Sequence, residues 1–331
     1  MRSWSGWGSG ISRVSKSFKQ RNKRHIFPDV PEALPAPVVD AHTHVYVPGD
    51  PEFVEGGDNA GTGLDGQPLT AAEQARRMDA AGVRHAITCA CEIPTIDPMI
   101  AVAHADPTHF SAAIGIHPND AALLCGFADP SPDGLTPGQD PWHREYTLDS
   151  AIAFVADRAR DAEVVAIGET GLDYYRTAES GRAAQKAAFR AQIALAKDLD
   201  LPLQIHDREA HADCIEILKH DGAPERVLFH AFSGGPELAE VCAREGWYAS
   251  FGGALTFPAN EAIREALAMM PAELVLAETD APYLTPVPWR GHPNAPYVVA
   301  YTVRAQAAVR GVDLADWCGQ IDANSRVFYG V

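Results

Sequence analysis

From Pro37 onward, short runs of β-branched and other apolar residues alternate with longer stretches in which apolar positions recur every three to four residues. The short runs are 38–40, 83–89, 110–116, 164–168, 201–205, 226–229, 247–251 and 274–277, and they read as buried strands. The longer stretches, clearest at 148–162, 183–199, 210–219, 236–245 and 261–269, carry the helical period. Such alternation lays parallel strands side by side with helices outside them, and eight units close into a ring. The pattern predicts an α/β chain folded as a (β/α)8 TIM barrel, one domain over 36–331, with a closing helix at 298–317. Two connections, 48–68 and 126–145, are long and rich in Gly, Pro and Asp. Each follows a strand end, where it serves either as a substrate loop or as a surface insertion.

Composition narrows the class. The 331 residues are 46% hydrophobic and 21% charged, typical of a globular enzyme, and no apolar run approaches the roughly 18 residues of a membrane span. A formal net charge of −17 excludes a protein that grips nucleic acid through a broadly basic surface. The charge is uneven: residues 1–25 hold Arg2, Arg13, Lys16, Lys19, Arg21, Lys23 and Arg24 and no acid, so 1–35 reads as a basic, flexible arm before an acidic body. The arm lacks the apolar core and cleavage site of a secretory signal; a transit peptide, a plain tail or a misplaced start are the readings left. Six cysteines without framework spacing read as reduced thiols of a cytoplasmic protein.

The ionisable residues cluster where the strands end. Strand 1 runs into Asp40-Ala-His42-Thr-His44, strand 3 into Gly115-Ile-His117-Pro, and strand 4 into Gly168-Glu169-Thr-Gly-Leu-Asp173. Strand 5 ends at His206-Asp207-Arg208, strand 6 at His230-Ala-Phe-Ser233, and strand 8 at Glu278-Thr-Asp280-Ala-Pro-Tyr283. All reach the carboxyl-terminal mouth of the barrel, where this architecture carries its chemistry. His42 and His44, at i and i+2 on a strand, share a face and can hold one cation together. Four imidazoles (His42, His44, His206, His230) and two carboxylates (Glu169, Asp280) fit two divalent ions with one carboxylate bridging, Mg²⁺, Mn²⁺ and Zn²⁺ all being admissible.

These motifs, with Ile205-His-Asp-Arg-Glu-Ala and Arg290-Gly-His-Pro-Asn294, resemble those of the TatD family of metal-dependent hydrolases over residues 38–331. The resemblance implies the barrel, a first metal on His42, His44 and Asp280, a second on His206 and His230, and Glu169 between them. It also implies a magnesium-dependent nuclease trimming DNA or RNA from the 3′ end, so nucleic-acid ends are the expected partners, with no membrane and no obligate protein partner. Another ester substrate, including aminoacyl-tRNA, uses the same site in the alternative reading, and a non-catalytic metal-stabilised scaffold is the third.

Residue chemistry suggests roles. Asp280 is the candidate base for the attacking water, or a ligand alone; Glu169 is shared between metal binding and catalysis; His117 donates to phosphate or leaving group, or fixes its loop. Arg208, Arg290 and Asn294 are candidate phosphate contacts, and Tyr283, with Tyr174, Tyr175 and Trp289, a candidate stacking surface for a terminal base. Asp40 and Asp207 are candidates to orient ligands, while Cys89 and Cys91 read as small core residues.

Overall fold

The computed structural model describes residues 26–45 and 69–331; the expected arm up to residue 25 and the 48–68 connection lie outside the described residues. Eight strands stand side by side in chain order: β1 Val38–Thr43, β2 Val83–Ala90, β3 Phe110–Ile114, β4 Val164–Asp173, β5 Leu203–Arg208, β6 Val227–Phe229, β7 Tyr248–Phe251 and β8 Val275–Ala277. Every ladder between neighbours is parallel. The seam between β8 and β1 is joined just past β8. There the N–H groups of Thr279 and Asp280 donate to the His42 carbonyl at 3.3 and 3.0 Å, and His44 N–H donates to Ala281 O at 2.8 Å. The result is the expected (β/α)8 barrel, knitted at the end that carries the ionisable side chains.

Helices fill the outside: α1 Ala71–Ala81, α2 Ile93–Ala105, α3 Pro118–Leu124, α4 Trp142–Glu145, α5 Leu148–Arg158, α6 Arg182–Leu199, α7 His211–Asp221, α8 Pro236–Glu245 and α9 Glu261–Met269. Local chemistry sets their starts. The Thr70 side chain accepts the Glu73 N–H to begin α1, and Thr147 and Ser150 form a reciprocal capping box on α5. The closing helix expected over 298–317 is instead two helices, α10 Val299–Arg310 and α11 Leu314–Tyr329. Gly311, at φ 65°, takes the left-handed conformation that ends α10, and the Asp313 carboxylate then caps α11 by accepting from Ala315 and Asp316.

The core has two layers. One lies between strands and helices, where Phe110, Phe189, Phe229 and Met78 are fully buried. The other is the barrel interior, where Val39, Ile87, Leu228 and Leu276 meet Phe328 and Tyr329 of α11. Residues 26–35, expected as part of the arm, lie against the barrel: Leu34 N–H donates to Ala81 O at 2.9 Å, and Pro28 O accepts from the Tyr297 hydroxyl at 2.5 Å. Among the described residues no helix is long and apolar enough to cross a membrane.

Candidate metal centre

Glu169, on β4, is the hub. Its Oε1 faces His42 Nε2 at 3.5 Å and His44 Nε2 at 3.4 Å, both carried by the end of β1. Its Oε2 faces His206 Nδ1 from β5 at 3.0 Å and His230 Nε2, just beyond β6, at 2.8 Å. Asp280, three residues past β8, brings Oδ1 to 3.7 Å from both His42 and His44. His117, at the N-terminus of α3, places Nε2 3.7 Å from Glu169 Oε2. Ligand atoms of His42, His44 and Asp280 fall within 4.8 Å of one another, as do those of His117, Glu169 and His206. The six expected ligands, drawn from five strand ends, thus form one cluster split by a single carboxylate.

The outer partners of the imidazoles test whether the cluster fits a cation. His44 donates Nδ1–H to the Cys89 carbonyl at 3.0 Å, since a carbonyl can only accept. His42 Nδ1 meets Gln204 Oε1 at 2.8 Å, and the Gln204 amide cannot be turned over. Its nitrogen already donates to Ala41 O at 3.2 Å and to the Tyr329 hydroxyl at 2.7 Å, and that hydroxyl donates to Ala41 O. Both Nδ1 atoms therefore carry hydrogen, and the two Nε2 atoms, 3.3 Å apart and turned toward carboxylate oxygens, are the positions left to hold either a proton or a cation. An array of acceptors facing one another needs a positive occupant, which a divalent metal supplies.

Gln204 and Tyr329 fall outside the sequence motifs. They carry the packing of α11 through the barrel interior to His42 Nδ1, and their effect is testable. Gln204→Leu frees the His42 tautomer and is expected to weaken metal binding by about 10- to 100-fold in equilibrium dialysis. Unchanged affinity would show that the chain has no bearing on the ligand.

Asp173, on β4 with Glu169, completes His206. Its Oδ1 accepts the N–H groups of Tyr175 and Arg176, and its Oδ2 meets His206 Nε2 at 3.1 Å, leaving Nδ1 turned toward Glu169. Asp40 and Asp207 hold other groups. Asp40 binds Thr279 through both oxygens, at 2.8 and 2.6 Å, clamping β1 to the segment after β8, and Asp207 accepts from His211 at 2.7 Å. Glu278, fully buried, accepts the Ala231 N–H at 2.7 Å behind His230.

The cluster opens into a cavity of about 710 Å³ whose wall includes His117, Arg176, Arg208 and Tyr283. Arg208 lies over the Tyr175 ring at 4.1 Å. Two expected phosphate contacts lie elsewhere. Asn294 is buried, with its amide nitrogen spent on Thr279 O at 2.9 Å and Tyr283 O at 2.7 Å, so it braces the loop after β8. Arg290 is exposed and stacks over Phe257 at 4.3 Å, outside the cavity wall. Tyr174 and Trp289 also face away, bonded to Asp213 and Tyr301 respectively. The 126–145 connection acts on the rim from behind: Asp133 pairs with Arg176 at 3.0 Å and His143 with cavity-lining Asp120 at 2.8 Å.

Burial disfavours charge on every group of the cluster, and the partners decide the balance. Glu169 stays well below the ordinary carboxylate range because the surrounding imidazoles favour its charge. His44, despite burial, is pushed up to about 10 by Glu169, and His206 likewise to about 10 by Asp173 and Glu169. Burial and the positive charge of His42 drive His230 down to about 3. Without a cation, His44 and His206 thus keep protons at any pH below about 10, and a metal must displace them. Loading the metal-free protein with Zn²⁺ at neutral pH is expected to release protons, measurable by calorimetry in buffers of different ionisation enthalpy, with the release shrinking as pH approaches 10. Metal uptake with no proton release at neutral pH would contradict this electrostatic picture.

A barrel that gathers imidazoles and carboxylates at its carboxyl-terminal mouth defines a metal-dependent hydrolase as its class. Comparison with known proteins gives the family. A family model described as "TatD related DNase" matches residues 39–330. The chain is 35% identical over 274 residues to an uncharacterised metal-dependent hydrolase TatD of Mycobacterium tuberculosis, covering 82% of this chain and 89% of that one. It is 31% identical over 262 residues to a 3′-5′ ssDNA/RNA exonuclease TatD of Enterobacter lignolyticus, covering 77% and 91%. The crystal structure of a TatD homologue from Escherichia coli K12 superposes with a TM-score of 0.70 at 25% identity, covering 89% of this chain and 98% of that one. The chain belongs to the TatD family of metal-dependent hydrolases.

Proposed function

We propose that the protein is a metal-dependent nuclease of the cytoplasm that removes nucleotides from the 3′ ends of single-stranded DNA or RNA. The observation that carries this reading is the division of Glu169, one oxygen facing the His42 and His44 pair and the other the His206 and His230 pair. The naming of the Enterobacter lignolyticus relative as an exonuclease supports the substrate class. Two divalent ions, one on His42, His44 and Asp280 and one on His206 and His230 with Glu169 shared, would offset phosphate charge and make a water acidic enough to attack at neutral pH.

The chain's own groups do the rest. Asp280 faces the cavity, where burial raises its carboxyl to about 6 in the metal-free site while His42 and His44 draw it down, and a carboxylate at that position is the group proposed to take the water's proton. His117 accepts the Asn119 N–H through Nδ1 at 3.2 Å, which leaves hydrogen on Nε2. Burial and the nearby charge of His206 lower its pKa, so it serves as a neutral donor to the departing oxygen or the phosphate. Arg208 and Arg176 bring guanidinium groups to the wall for the next phosphate, and Tyr283 offers a ring to the terminal base.

The test uses the metal-stripped full chain, reconstituted with Mg²⁺, Mn²⁺ or Zn²⁺ and given single strands labelled at either end, beside aminoacyl-tRNA. Stepwise shortening from the 3′ end is the expected result. Rapid deacylation with no strand cleavage under any metal would replace the nuclease with an ester hydrolase on the same site.

A further inference from the structure

Beside the imidazoles, two sulfurs stand at the same mouth. Cys89, the penultimate residue of β2, and Cys91, just past the strand, share a face at i and i+2, the spacing His42 and His44 have at the end of β1. Their Sγ atoms are 3.6 Å apart, and Cys91 Sγ is 3.6 Å from Glu169 Oε1, the oxygen that also faces His42 and His44. Sulfur, sulfur and carboxylate oxygen all lie within 4.8 Å of one another. Both thiols are buried and both line the cavity, so an ion entering from solvent reaches them.

Two separate comparisons distinguish this cluster from apolar packing. The first is chemical. Both cysteines border the apolar barrel interior, yet their sulfurs also meet polar atoms: Cys89 Sγ sits 3.1 Å from the Gly168 carbonyl, and Cys91 Sγ 3.4 Å from the Glu169 N–H as well as against its carboxylate. The second is metric. Around a tetrahedral cation with bonds of about 2.3 Å to sulfur and about 2.0 Å to oxygen, ligands stand about 3.8 Å apart for two sulfurs and about 3.5 Å for sulfur and oxygen. The observed separations, 3.6 Å in each case, sit beside those values before any ion is bound.

We propose that Cys89 and Cys91 are thiolate donors to a thiophilic divalent cation held on the Oε1 side of Glu169, next to the His42 and His44 pair. Each sulfur gives up its proton to solvent as the metal–sulfur bond forms. Soft donors select Zn²⁺, Co²⁺ or Cd²⁺ over Mg²⁺, so the pair sets which metal the mouth prefers. The proposal rests on the metal centre described above and adds to it the donors that choose the ion.

Cobalt is the probe. The full chain, stripped of metal and kept anaerobic, is dialysed against Co²⁺; retained cobalt is counted, and the near-ultraviolet sulfur-to-cobalt charge-transfer band is read on the same sample. The expected result is retained cobalt with the band present. The double variant Cys89→Ser, Cys91→Ser should lose the band, keep bound cobalt, and bind Zn²⁺ about tenfold or more weakly with Mg²⁺ binding unchanged. Sulfur scattering at the zinc absorption edge of the unaltered protein gives the same answer without a substitution. Cobalt retained without the band overturns the thiolate proposal and leaves the imidazole and carboxylate centre standing. No cobalt retained removes both. A band that persists in the double variant assigns the sulfur elsewhere and also overturns the proposal.

Discussion

Glu169→Ala is expected to lower hydrolysis of the proposed nucleic-acid substrate by about 10³-fold or more while leaving the protein folded. The carboxylate is the group that both imidazole pairs share, so its loss removes the counter-charge from each side of the cluster at once. The fold survives because imidazoles that lose this partner shed their protons rather than remain as buried charges. Steady-state rates at saturating metal, beside the circular dichroism of the same samples, check both halves. Activity within tenfold of the unaltered protein would remove Glu169 from the centre of the account, and an unfolded variant would show that the carboxylate is structural.

Gly171→Ala is expected to destabilise the barrel by about 3 kcal/mol or more, lowering Tm by roughly 5 °C. Gly171 has φ 135° and pairs with His206 across β4 and β5. A Cβ there would stand 2.2 Å from the His206 carbonyl oxygen, a backbone atom of the neighbouring strand that has no room to yield. Relief requires the two strands to part, which carries His206 away from Glu169 and Asp173, so activity falls with stability. Gly138→Ala is the control, since nothing lies within 4 Å of its added carbon. Thermal melts of both variants decide it: an unaltered Tm for Gly171→Ala would mean that the close approach of β4 to β5 is not a constraint.

Much of this was legible before the fold. Short apolar runs and period-3.6 stretches reveal eight strand–helix units because the strands are buried on both faces and the helices on one. Ligand types recurring at successive strand ends reveal the site because the barrel brings those ends together. Direction is what the chain conceals. Asn294 carries the right group for a phosphate contact, yet the carbonyls of Thr279 and Tyr283 take its hydrogens. The fourth apolar run reads as ending at Gly168, whereas the strand runs on to Asp173 and delivers that carboxylate to His206.

Some signals were present but weak. Gln204 is a polar residue inside the apolar run Leu203-Gln204-Ile205, and a buried amide in a barrel strand has to bond to something. Its partner Tyr329 is 125 positions away, so no local pattern links them. The break between α10 and α11 is written as Gly311 followed by Asp313, a helix end and a helix start two residues apart. Cys89 and Cys91 repeat the spacing of His42 and His44, but alternation on a buried strand also suits packing, and only the position of Glu169 separates the two readings.

The most direct test of the central claim, that Glu169 divides two metal positions at the barrel mouth, is anomalous diffraction from crystals of the full chain grown with Zn²⁺ or Mn²⁺. Two anomalous peaks are expected to flank the Glu169 carboxylate, one beside His42, His44 and Asp280 and one beside His206 and His230. Strong peaks elsewhere with none at Glu169, in crystals of protein that hydrolyses its substrate, would contradict it.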